Sequence, residues 1–86
     1  MQSTLDQAAV GVPMRVTRID AAGTSPEWAE RLAELGFLAG ERVMVTARGP
    51  FGGDPLAVQI GLSSFALRRA EAACVGVQVD DRGSAR

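Results

Sequence analysis

The sequence predicts a small, mainly β fold: a barrel of about five strands, with one α-helix inserted after the first strand. Three observations carry this expectation. Short segments that alternate apolar and polar residues recur at close spacing along the 86 residues. Only one segment, Ala21 to Gly36, has a clear helical period, and it lies between the first two strand segments. Clusters of glycine and proline separate the strands, and such clusters turn a chain.

The first strand runs from Pro13 to Ile19. Val12, Met14 and Val16 share one face, and the alternation fails at Arg18–Ile19, where a bulge or a strand end is expected. The helix follows. Thr24 or Ser25 can cap its start, and Pro26 suits the first turn because its missing N–H would have had no partner there. Glu27 completes a capping-box spacing from Thr24. Trp28, Leu32 and Leu35 line one face, which reads as core. Gly36 ends the helix in a left-handed conformation, with Phe37 packing back on Leu32.

A turn at Ala39–Gly40 leads into the second strand, where Val43, Val45 and Ala47 face one way. The stretch Ala47 to Gly61, "ARGPFGGDPLAVQIG", then makes a turn and a third strand, Pro55 to Ile60, with Leu56, Val58 and Ile60 inward. Gly61 to Ser63 turns the chain into a short fourth strand carrying Phe65 and Leu67. "RRAEAA" reads as about one helical turn. The fifth strand carries Val75, Val77 and Val79 on one face. One domain is expected over residues 1–80 with a flexible polar tail at 81–86, and the pair Asp80–Asp81 at their junction reads as solvated.

The glycine loop raises the question of phosphate binding. A nucleotide-hydrolase loop needs a lysine, a following Ser or Thr, and a helix. "GPFGGDPL" has no lysine and runs into a strand pattern. The loop therefore reads as a turn in which Gly52–Gly53 or Gly53–Asp54 supply positive φ, with Pro50 and Pro55 limiting the ladder. Phe51 sits at its tip, either folded back on the core or exposed to a partner.

Composition narrows the function. The chain has no histidine, so neither a Ser/His/Asp nor a Cys/His arrangement can be built, and no enzyme activity is expected. A single thiol, Cys74, and no imidazole give no soft-metal ligand set; Cys74 reads as an inert buried thiol. Neither cofactor nor metal is expected. The formal net charge is −1, with nine arginines interspersed among acidic residues and no lysine, which argues against nucleic acid. The lone cysteine fits a reducing compartment. The N-terminus lacks a signal-peptide pattern, and no apolar run approaches the ~20 residues of a bilayer span. A cytoplasmic protein is expected, peripheral to a membrane only through a partner.

Three stretches taken together resemble a known family. "LAELGFLAGERVMV", "ARGPFGGDPLAVQIG" and "FALRRAEAACVGVQV" are similar in order and spacing to the FeoA family of small bacterial ferrous-iron transport proteins. The shared marks are Leu32-x-x-Leu35-Gly36, Gly40 before a strand, Pro50-x-Gly52, Asp54-Pro55-Leu56 and Leu67-Arg68-Arg69. Two departures stand out: Ala39 where the family usually has proline, and the extra Gly53 in the turn.

The resemblance implies an SH3-like barrel and an accessory role beside FeoB, the membrane iron transporter with a GTPase domain. On that reading Leu38, Arg48, Phe51 and Arg69 are the candidate partner contacts, with no catalytic, cofactor or metal residues. The same domain resembles the C-terminal SH3-like domain of iron-dependent repressors. That alternative is a free-standing regulatory domain, but it requires a helix-turn-helix where the chain has one convincing helix. A nucleic-acid-associated SH3-like module is a further alternative, which the charge balance disfavours.

Overall fold

The computed structural model describes residues 3–20 and 26–80. The elements are β1 (Ser3–Thr4), a 3-10 turn (Leu5–Gln7), β2 (Met14–Ile19), α1 (Pro26–Leu35), β3 (Arg42–Gly49), β4 (Gly53–Ile60), β5 (Ser63–Leu67), α2 (Arg69–Ala72) and β6 (Val75–Val79). All strand pairs are antiparallel, and the sheet order is β1-β6-β2-β3-β4-β5. The expected barrel is thus six strands rather than about five, and the hydrogen-bonded sheet is open, with β1 and β5 as its edges. The extra strand is the two-residue β1, too short to produce an alternating pattern.

α1 follows β2 as expected, and its end shows why Gly36 and Phe37 are there. Gly36 has φ +110, its N–H donates to the Ala33 carbonyl at 3.0 Å, and the Phe37 N–H donates to the Leu32 carbonyl at 3.0 Å. These two bonds form a Schellman cap. The capping satisfies carbonyls that the helix end would orphan, and it turns the fully buried Phe37 ring inward beside buried Leu32. Thr24 and Ser25, the expected start caps, lie outside the described residues.

The core gathers Met14, Val16, Leu32, Phe37, Val43, Val45, Leu56, Val58, Leu67, Val75 and Val77, with Leu5 closing it from the N-terminal side. Trp28, Leu35 and Phe65 pack against it while half-buried. Each fully buried aliphatic or aromatic side chain contributes roughly 1.5–3 kcal/mol.

Two positions depart from the expected faces. The β3–β4 register shifts between Val45 and Ala47, which turns Ala47 out to solvent after two inward valines. Val79, expected to share the inward face with Val75 and Val77, is instead exposed at the end of β6, opposite Met14. The bulge expected near Arg18 occurs between Val16 and Arg18, opposite β6.

Asp80 corrects another expectation. Its side chain is 1% exposed rather than solvated, and its Oδ2 lies 2.7 Å from Arg42 Nε and 3.3 Å from an Arg15 guanidinium nitrogen. Its N–H donates to the Pro13 carbonyl at 3.1 Å. One carboxylate therefore pins the end of β6 to β2 and β3. Asp81 and the rest of the expected tail lie outside the described residues. Replacing Asp80 with asparagine keeps the shape but leaves both cations without their anion. Removing one partner of a buried pair is costly, and the partial exposure of the arginines reduces that cost, so we expect a loss of about 2 kcal/mol. A urea melt checks this, and an unchanged midpoint would refute the clamp.

Candidate functional site

The candidate site is built where the β3–β4 turn, the end of β5 and the start of α2 meet. The turn is forced by its glycines. Gly52 and Gly53 have φ +68 and +90, as the sequence predicts, and Gly53 pairs with Gly49 across the turn. Gly49 has no room for a side chain: a Cβ there would lie 2.5 Å from the Asp54 carbonyl oxygen. This tight crossing leaves Phe51 at the tip, 80% exposed, which settles the question the sequence left open.

The base of the loop is fastened to α2. Asp54 Oδ1 accepts the Arg69 backbone N–H at 3.0 Å. The next carboxylate inward, Glu71, is buried and engaged at both oxygens. Its Oε1 accepts the Arg68 N–H at 2.9 Å, and its Oε2 pairs with the Arg31 guanidinium of α1 at 3.0 Å. Between these groups lies an open cleft of about 410 Å³, lined by Arg31, Phe51, Asp54, Pro55, Ala66, Arg68 and Glu71. Its carboxylates serve as structural acceptors and Arg31 is held by Glu71, so its free features are the Phe51 ring and the Arg68 head. That composition suits recognition of another chain rather than bond-making chemistry.

The four candidate contacts separate. Phe51 and Arg69 are exposed and joined through Asp54, whose N–H also reaches the Phe51 carbonyl at 3.3 Å. Arg48 lies beside Gly53 at the same end, but its guanidinium donates to the carbonyls of Asp6 and Ala8 at 2.8 and 2.6 Å. It therefore ties the N-terminal segment to β3.

Leu38 is half-exposed in the turn before β3, whereas Phe51 follows the end of β3. An eight-residue strand at ~3.3 Å per residue puts them on the order of 25 Å apart. Leu62, which sequence reasoning passed over, is fully exposed at the same end as Leu38. The available signal was an apolar residue directly after the turn glycine Gly61.

Among the described residues no group of three or more His, Cys, Asp or Glu side chains converges on a point that could hold a metal ion. Cys74 is buried, with its thiol 3.6 Å from the Ala70 carbonyl oxygen. No helix among the described residues is long and apolar enough to cross a membrane.

The family model of the FeoA domain matches residues 3–79. The crystal structure of Stenotrophomonas maltophilia FeoA complexed with zinc is similar to this chain at 41% identity, covering 87% of this chain and 88% of that one, with a TM-score of 0.78. That protein is described as a prokaryotic SH3 domain protein and a candidate activating factor for bacterial ferrous iron transport. The solution structure of iron(II) transport protein A from Clostridium thermocellum is similar at 34% identity over 88% of this chain and 44% of that one, with a TM-score of 0.78. A manganese-dependent transcriptional repressor shares the fold at 24% identity, over 92% of this chain and 42% of the repressor, with a TM-score of 0.79. Among curated proteins none matches significantly by sequence.

Proposed function

The chain belongs to the FeoA family, associated with ferrous iron transport, and on that premise we propose that it is a cytoplasmic accessory protein that docks on and modulates the FeoB-type membrane GTPase. The observation that carries this reading is Phe51, an aromatic ring left 80% exposed on a turn held tight at its base. Exposing an aromatic side chain on a rigid loop forgoes burial energy, and aromatic anchors beside arginines are the usual hot spots of protein interfaces. Preorganisation lowers the ordering cost of docking. On this reading the chain acts as an adaptor.

Phe51 and Arg69 are the proposed contacts at this end. Arg48 supports them by holding the N-terminal segment, and Leu38 belongs to a second, opposite surface. Docking alters the transporter only to the extent that one of its states binds the loop more tightly than the other.

The test is a pull-down of the transporter's cytoplasmic GTPase region by this protein and by its Phe51→Ala, Arg69→Ala double variant. Loss of an aromatic anchor and its neighbouring arginine is expected to weaken capture at least about 30-fold, equivalent to ~2 kcal/mol. Equal capture by both proteins would remove the loop from the interface.

A further inference from the structure

Among the described residues, β5 leaves one side of its backbone without a strand partner, next to the cleft. The β4–β5 hairpin has the two-residue connection Gly61–Leu62, with Gly61 at φ +57, and its register pairs Ile60 with Ser63. In a two-residue hairpin the pair flanking the turn exchanges hydrogen bonds, and bonded and non-bonded pairs then alternate. Val58–Phe65 and Leu56–Leu67 are therefore bonded pairs, while Gln59–Ser64 and Ala57–Ala66 are not. The N–H and C=O groups of Ser64 and Ala66 consequently point away from β4.

β5 is an edge of the sheet, and among the described residues no backbone–backbone bond outside the β4 ladder reaches Ser64 or Ala66. Edge strands are commonly blunted by charge or proline. Ser63–Leu67, "SSFAL", has neither.

The surroundings favour one kind of occupant. Ala66 also lines the cleft, beside Phe51, Pro55 and Arg68. Both carboxylates there are already bonded within the protein, Asp54 to the Arg69 N–H and Glu71 to Arg31 and the Arg68 N–H. Arg68 and Arg69 are exposed, and among the described residues neither guanidinium forms an ion pair. The uncommitted charge at the rim is therefore positive.

From this we infer that the free edge of β5 takes an extended acidic segment of the docking partner as an added strand. The backbone groups of Ser64 and Ala66 bond to it, an apolar side chain of the segment enters the cleft between Phe51 and Pro55, and a carboxylate meets Arg68. Main-chain bonds supply affinity in such strand addition, and the pocket supplies selectivity. A second copy of this chain fits less well, because an antiparallel β5 would bring serine, alanine and further arginine rather than carboxylates.

This inference rests on the docking reading, and the experiment separates the two. The transporter's cytoplasmic GTPase region is titrated calorimetrically with the unmodified protein, with Ala66→Pro and with Arg68→Gln. Proline at position 66 removes an outward N–H that β4 does not use, so the ladder survives. We expect about ten-fold weaker binding for Ala66→Pro. We expect a smaller loss for Arg68→Gln, together with a flatter salt dependence, since charge pairing at an exposed rim is screened. Hydrogen exchange at the Ser64 and Ala66 amides of the unmodified protein should slow in the complex.

Binding that is unchanged in both variants, without new protection at those amides, would overturn strand addition and leave docking standing. No binding by the unmodified protein would overturn docking and this inference with it. Self-association of the free chain that Ala66→Pro abolishes would assign the edge to a second copy and overturn the acidic partner. If Ala66→Pro lowers the melting temperature sharply, Arg68→Gln and the amide protection decide the matter.

Discussion

Gly49→Ala is expected to lower stability by about 3 kcal/mol, at the upper end of what overpacking costs. The added methyl would sit 2.5 Å from the Asp54 carbonyl oxygen, 2.7 Å from its carbon and 2.8 Å from the Pro55 nitrogen. All three are backbone atoms within a bonded hairpin, so no rotamer change relieves the clash. β3 and β4 must separate at that point. For a domain of this size the loss corresponds to a midpoint shift of roughly 12–24 °C in thermal unfolding. Gly40→Ala is the control. Gly40 has φ +93 but nothing within 4 Å of a built Cβ, so only the left-handed strain of about 1–2 kcal/mol applies. Equal losses for the two variants would show that close approach is not what Gly49 provides. Because the clash falls at the base of the turn that carries Phe51, the replacement should also weaken partner capture in the fraction that still folds.

The second large effect is Phe37→Ala. The ring is fully buried and meets Phe65 with centroids 6.5 Å apart at an interplanar angle of 52°. Truncation removes the burial of an aromatic side chain, leaves a cavity and deletes a tilted ring pair, for about 3–5 kcal/mol in all. Small domains hold only ~5–15 kcal/mol in total, so the variant should lose a large fraction of its stability and melt at a markedly lower temperature. The chain also loses the apolar contact that normally accompanies a Schellman cap, so the end of α1 should fray. Circular dichroism on heating checks both points, and a midpoint within a few degrees of the unmodified protein would contradict this packing.

Much of this architecture could be read in the residues because local chemistry and tertiary role agree. Gly36 and Phe37 announce the helix end, and the structure makes both cap bonds there. Leu56, Val58 and Ile60 alternate inward without interruption. The parts that were not legible depend on register or on partners far away in sequence. The exposure of Ala47 follows from a bulge that residue types alone do not place. Asp80 looked like tail because its partners, Arg15 and Arg42, lie far upstream. β1 carries no pattern at two residues, and barrel closure, expected from short strands at close spacing, does not follow from strand count alone.

The candidate contacts show the same division. The exposure of Phe51 depended on how the turn closed, which Gly49 decides from outside the Gly52–Gly53 pair. The hold of Arg48 on the Asp6 and Ala8 carbonyls was not legible either, because those partners lie far upstream in the sequence.

The central claim is that partner docking uses the Phe51 end of the sheet. The most direct measurement is an NMR titration of isotopically labelled protein with the cytoplasmic GTPase region of the FeoB-type transporter. The account predicts that amide shifts concentrate at residues 49–54 and 64–71. Shifts confined to the Leu38–Leu62 end, or no shifts at saturating partner, would contradict it.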